Sequence, residues 1–191
     1  MLKAPLVLLV FAIGACAIGL AAGSSGWGYA TSEIVWQIRL PRVLAGFGAG
    51  AALALSGALM QLLTRNPLAD PYVLGISGGA SVGALAVLWL GLGGGALFGQ
   101  WGVAIGAAAG ALGAAAALFA LSWRSLGSAG IAATQESSVA LLLIGVMIGT
   151  ACSAFVSMLL ALATEMQLRG MVFWLLGDLN GATEWRVPCI A

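Results

Sequence analysis

The sequence contains no histidine, and its cysteines are few and scattered: Cys16, Cys152 and Cys189. That set gives neither a disulfide framework nor a metal-ligand cluster. It also removes the side chain most used for acid–base catalysis. Charge is scarce too. Only 7% of the 191 residues are Asp, Glu, Lys or Arg, where a soluble domain carries about 25%. The net charge of +1 excludes the basic footprint of a nucleic-acid binder. No Walker A sequence or paired acids within an apolar run is present, and the glycines at Gly78-Gly79 alone make no phosphate loop. Nucleophilic and ATP chemistry therefore have no visible seat in this chain. What remains is apolar: 62% of the residues are hydrophobic. No soluble fold hides that much apolar surface, so lipid is the expected solvent.

The few charges are clustered. None lies between Lys3 and Glu33, Arg42 and Arg65, Asp70 and Arg124, or Glu136 and Glu165. A helix needs about 20 apolar residues to span the hydrocarbon core. The first, second and fourth gaps fit one span each. The third fits two, divided by the glycine-rich turn Gly91 to Gly95. The pattern predicts spans at roughly 4–23, 43–64, 73–91, 99–122 and 139–163. A further apolar run starts at Val187 and stops at Ala191, as expected of a fragment cut where a sixth helix starts. The fold class is all-α, a polytopic membrane bundle read as one domain over residues 1–191. Ile13-Gly14-Ala15-Cys16 looks like a lipoprotein processing site. The apolar run continues past it, so an uncleaved first helix is the better reading.

Glycines spaced by four occur at Gly46 and Gly50, Gly79 and Gly83, Gly102, Gly106 and Gly110, and Gly145 and Gly149. Such strips let helix backbones approach closely, and packing within one bundle is the plainer reading than dimerisation. The tryptophans fall at or near span ends, as interfacial belts do. A short amphipathic helix is expected at 165–176, ended by Gly177. Charge counting favours, weakly, an outside N-terminus.

Three places invite a functional reading. Arg39 and Arg42 flank Leu40-Pro41 at the mouth of the second span. Three residues apart, they share a face if the helix starts near Pro41. They either snorkel to headgroups or dock carboxylates of a partner. Asn66-Pro67 and Asp70-Pro71 break the backbone twice within six residues. Each proline removes a donor and disfavours helix before it. Leu68 and Ala69 between them predict a loop packed on protein, serving either as a tight connection or as a gate. Thr150, Ser153, Ser157 and Thr164 lie along one face of the fifth span. They either bond to their own helix or line a polar pathway.

With these residues in view, the chain resembles the FecCD-type permeases, membrane subunits of ABC importers for iron-siderophores, haem and vitamin B12. The resemblance rests on Val35-Trp36-Gln37-Ile38-Arg39-Leu40-Pro41-Arg42, on Gly50 to Ala54 with Ser56-Gly57 and Gln61, and on Asn66-Pro67-Leu68-Ala69 with Pro71. It continues through Leu74-Gly75, Gly79-Ala80, Leu141 to Val146, Phe173-Trp174, Gly177 and Trp185-Arg186. It implies the first part of a ten-helix inner-membrane permease with a cytoplasmic N-terminus. A second permease subunit, two cytoplasmic ATPases and a periplasmic binding protein are the implied partners. ATP and Mg belong to the ATPases, and no cofactor is expected on this chain. The implied cargo is a metal chelate, with iron-siderophore ahead of haem or cobalamin. Arg39 and Arg42 match the docking arginines. Asn66, Pro67 and Leu68 match a segment near the cytoplasmic gate, and Ser137 and Ser138 match a loop that helps close it. Thr150, Ser153 and Ser157 remain candidates to line the pathway. Helix 165–176 matches a short periplasmic helix beside the entrance. The family orientation outranks the weak charge count, because outside arginines are there to meet a partner. With half the family's helices, the chain is not expected to transport alone. The rival classes are an ion-coupled secondary transporter, which would need an ionisable residue inside a span, and an intramembrane enzyme.

Overall fold

A computed structural model of the chain describes residues 3–23, 26–27, 31–92, 101–127, 135–177 and 179. The expected all-α class holds; the strands among the described residues are one minimal hairpin. Where the sequence pattern reads as one domain, the helices group into two compact units, Met1–Leu55 with Asp178–Ala191, and Ser56–Gly177.

The first unit opens with α1, Lys3–Ala21. At about 1.5 Å per residue it is roughly 28 Å long. Most of its described side chains are exposed, with Phe11 at 73%, while Ala12, Cys16 and Leu20 are half-buried along one face. Two two-residue strands, β1 (Ala22–Gly23) and β2 (Gly26–Trp27), then turn the chain back as an antiparallel pair. The next helix, α2, runs Ser32–Thr64 without interruption and belongs to this unit as far as Leu55.

That start corrects an expectation. The helix does not begin at Pro41; it begins nine residues earlier. Proline inside a helix lacks an N–H and its ring presses on the carbonyl four residues back. Here the backbone answers by widening: Val35–Arg39 forms a π turn, and the Leu40 N–H donates to the Val35 carbonyl. Pro41 then sits fully buried.

The second unit contains the end of α2, a one-turn 3-10 helix at Pro71–Leu74, α3 (Ile76–Trp89), α4 (Gly102–Gly127), α5 (Gln135–Leu162) and α6 (Glu165–Leu175). α3 is the hub and packs on α4, α5 and α6. Ala84, Leu85 and Met171 form the fully buried core, joined by Leu88, Val156, Leu160 and Trp174. This burial explains why α3 carries no charged residue and keeps its two polar ones, Ser77 and Ser81, one turn apart and hydrogen-bonded within the helix.

The glycine strips of α3 and α4 meet each other. A Cβ built on Gly83 or Gly110 would collide with the main chain of Gly106 or Gly79 respectively, and one on Gly79 would lie 2.5 Å from the Ala114 Cβ. Two helices can sit this close only without side chains between them.

Among the described residues, three helices are long and apolar enough to cross a membrane: Ser32–Thr64, Gly102–Trp123 and Ala140–Leu162. The expected span at 73–91 is delivered differently. The 3-10 turn consumes its first residues, leaving a 14-residue helix, about 21 Å long and short of the ~30 Å core. Gly91 (φ 69) ends it; the rest of the Gly91–Gly95 turn lies outside the described residues. So does the apolar run from Val187, together with Cys189.

Candidate functional site

The backbone break is built from its own hydrogen bonds. α2 ends at Thr64, whose hydroxyl donates to the Met60 carbonyl (2.8 Å). Arg65 follows with φ 50, a positive φ that among the described residues no other non-glycine shows. The Asn66 N–H returns to the Gln61 carbonyl (3.2 Å), which closes the helix end in the six-to-one pattern of a Schellman cap. The Asn66 side chain then accepts from the Leu68 N–H (2.9 Å), and the Asp70 side chain from the Tyr72 N–H (2.9 Å). Asp70 thus caps the 3-10 turn whose first residue is Pro71. Both Asx-Pro dipeptides act as turn initiators with their side chains engaged. Leu68 is not packed on protein as expected: it is 89% exposed. A loop that satisfies its own backbone needs no cover.

At the far end of the break, Gly75 adopts φ 75 and ψ 0. Its α-carbon faces α5 so closely that a Cβ there would lie 2.8 Å from the Gly145 carbonyl oxygen and the Gly149 nitrogen. A Cβ on Gly145 would in turn lie 2.7 Å from the Val73 oxygen. The glycine spacing at 145 and 149 therefore serves contact between main chains of the break and α5.

Beside this contact is a crevice of about 300 Å³ lined by Tyr72, Ser77, Thr150 and Ser153, among others. The hydroxyls of Thr150, Ser153 and Ser157 each donate within α5, to Met147, Gly149 and Ser153 carbonyls, all at 2.9 Å. The hydroxyl protons are thus satisfied within the helix, and Thr150 and Ser153 also border the crevice. The residues gathered here can solvate a polar solute with hydroxyl oxygens. They hold no acid–base pair and no nucleophile with a base.

Ser137 and Ser138, expected in a loop, fall in the first turn of α5. Serine is well suited to the start of a helix. Their side chains lie outside the described residues.

In the first unit the two arginines do share a face, and that face is turned to α1. Arg39 is buried, and its Nη1 donates to the carbonyls of Leu20 (2.8 Å) and Ala21 (3.0 Å). These are among the last carbonyls of α1, which have no partner within their helix. A cation there also complements the helix dipole. Gly23 makes room, since a Cβ on it would strike the guanidinium. Arg42 is half-buried; its Nε is buried without a partner. It borders a cavity of about 470 Å³ walled by Ala12, Cys16, Val43, Gly46 and Phe47. So Arg39 holds the end of α1, while Arg42 keeps uncommitted donor capacity.

The short helix α6 is anchored rather than afloat. Gln167 accepts from the Thr164 N–H (3.0 Å) and hydroxyl (2.9 Å), and its amide donates to the Trp89 carbonyl at the end of α3 (2.7 Å). Met171 is fully buried in the core, and Gly177 (φ 85) ends the helix as expected.

The model of the FecCD transport family matches residues 4–191. The chain belongs to the FecCD transport family. It is 39% identical over 182 residues to the vitamin B12 import system permease protein BtuC of Escherichia coli O17:K52:H18, covering 95% of this chain and 52% of that protein. It is 41% identical, with the same coverage, to BtuC of Salmonella paratyphi A. Among solved structures it superposes on a chain of a metal-chelate type ABC transporter in an inward-facing conformation, with a TM-score of 0.75 and 29% identity, covering 97% of this chain and 56% of the other. The chain thus spans about half the length of the relatives it matches. Arg39, Asn66 and Gly75 fall at structural discontinuities: the widened turn, the end of α2 and a left-handed joint.

Proposed function

We propose that the protein is the membrane-spanning permease subunit of an ATP-driven importer for a metal chelate. The observation that carries this is the FecCD match over residues 4–191, joined to a break whose far end is seated on α5 through glycines. The named functions of the relatives favour a cobalamin-type cargo over the iron-siderophore placed first from sequence. In this reading the bundle lies in a bacterial inner membrane with its N-terminus in the cytoplasm. It pairs with a second permease subunit and two cytoplasmic ATPases, which carry ATP and Mg. A periplasmic binding protein docks outside. Arg42 supplies the guanidinium for a carboxylate of that protein, and Arg39 sets the helix end beneath it. Asn66, Pro67 and Leu68, with Ser137 and Ser138, form the inner mouth. Thr150, Ser153 and Ser157 face the route of the solute.

The test uses the full-length protein reconstituted in liposomes with its ATPases and binding protein. Cobalamin uptake should require ATP and survive collapse of ion gradients. Uptake driven by a proton or sodium gradient without ATP would defeat the reading and favour a secondary transporter. ATP-driven uptake of a ferric siderophore but not of cobalamin would keep the transporter class and overturn the cargo.

A further inference from the structure

From the geometry of the break we infer that the inner-mouth segment is not itself the flexible part of the gate. Residues 66–75 and the Gly145–Ser153 stretch of α5 move as one body, and the pivot is Arg65. This rests on the transport reading above, because it assigns moving parts to that machine.

Three observations carry it. First, the segment is internally braced. Asn66 and Asp70 side chains each hold a backbone N–H two residues on, and Ala69, Val73 and Gly75 donate back to carbonyls within the segment. Second, its far end is interlocked with α5 by main-chain contact. Gly75 and Gly145 leave no space for a Cβ between the two backbones, and Gly78 leaves little against the Cys152 Cβ (2.9 Å). Backbone atoms cannot swing aside as a flexible side chain can, so the two pieces slide only by separating. Third, the near end is a single strained joint. Arg65 holds a left-handed conformation that costs a non-glycine residue about 1–2 kcal/mol. Change of one φ there swings the braced segment relative to α2 at the cost of the single Asn66 N–H to Gln61 bond, and leaves the bonds within the segment whole. Gly75, Gly145 and Gly149 are in this sense positioning residues, and the force on the mouth is delivered by α5.

Spin-label distances in the full-length complex test this. Cys16, Cys152 and Cys189 are first changed to Ala. Labels are placed at Leu68→Cys with Leu143→Cys, and at Leu68→Cys with Leu62→Cys; all three positions are exposed and in one unit. Between nucleotide-free and ATP-bound states the 68–143 distance should hold within about 1 Å, while the 62–68 distance shifts by more than about 2 Å. A 68–143 distance that changes as much as the 62–68 distance would overturn the single body. A 62–68 distance that stays fixed would overturn the pivot. In a second arm, Gly145→Ala should broaden the 68–143 distribution in the resting protein, since its Cβ meets the Val73 oxygen. Gly113→Ala, whose Cβ meets nothing within 4 Å, should leave it unchanged. Equal distributions in both variants would also overturn the clamp. ATP-dependent uptake, assayed separately in the labelled background, reports on the transport reading; its loss there with intact distances would reject that reading and not the clamp.

Discussion

Replacing Gly79 by alanine adds one methyl group to the tightest helix contact in the second unit. The new Cβ would lie 2.5 Å from both the Ala114 Cβ and the Gly110 oxygen, where ordinary contact begins at 3.4 Å. Nearly an ångström must be found, and Gly110 can yield only by moving its helix. Overpacking of this kind costs about 1–3 kcal/mol. Against it, alanine returns about 1 kcal/mol of helix propensity. Gly113→Ala, on α4, makes the same chemical change into open space and gains the propensity alone. The difference between the two variants therefore isolates the clash at about 1–3 kcal/mol. For a chain of this size that is a gap of roughly 3–10 °C in melting temperature, Gly79→Ala lower. Thermal unfolding of the two variants in the same detergent measures it. Equal melting temperatures would refute the claim that main-chain contact sets the α3–α4 spacing.

Three further outcomes follow from other contacts. Arg39→Ala should destabilise by about 1–3 kcal/mol, because it strands two α1 carbonyls in a buried site. Gly23→Ala should cost a similar amount, and the double variant little more than either, as a double-mutant cycle of unfolding free energies would show. Gln167→Glu should lower stability by about 1–2 kcal/mol and by more than Gln167→Met. A carboxylate cannot donate to the Trp89 carbonyl and places charge beside it; a smaller loss for Glu in unfolding measurements would count against the anchor. Arg42→Glu in the full-length permease should weaken binding-protein affinity at least tenfold in surface-binding titrations, through like-charge repulsion of the docking carboxylate. Unchanged affinity would remove Arg42 from the docking role.

The helices were legible because apolar length and charge gaps are long-range signals. α1, α4, α5 and α6 lie where the pattern of Lys3, Arg124, Glu136 and Glu165 puts them. The glycine strips were legible as close-contact surfaces, yet sequence spacing does not say which strip meets which. Gly79 and Gly83 could be matched to Gly106 and Gly110, and Gly145 and Gly149 to Gly75, only in three dimensions. Pro41 misled because proline at a helix start is the common case, while a π turn that rescues an interior proline leaves no compositional trace. The arginine pair does share a face, though on a helix that starts at Ser32 and not near Pro41. What that face looks at depends on the hairpin at Ala22–Trp27 folding α1 back alongside α2, which two strands of two residues each do not announce. Asp70 had no role in the sequence, and its cap on Tyr72 N–H is a local bond visible once the 3-10 turn is known.

The widened turn at Val35–Arg39 has a consequence for chain length rather than chemistry. A π turn takes up one residue more than an α turn of similar rise, and one residue is about 100° of helix rotation. The extra residue is absorbed inside the turn, so everything before Val35, the hairpin included, keeps the phase it would have on a regular helix. Removing one residue from the turn would restore regular winding and leave that phase unchanged. Removing one from the regular stretch between Arg42 and Leu55 would turn the hairpin by about 100° against the residues that follow. The π turn is therefore the place in this stretch where the chain can lose a residue without being rephased.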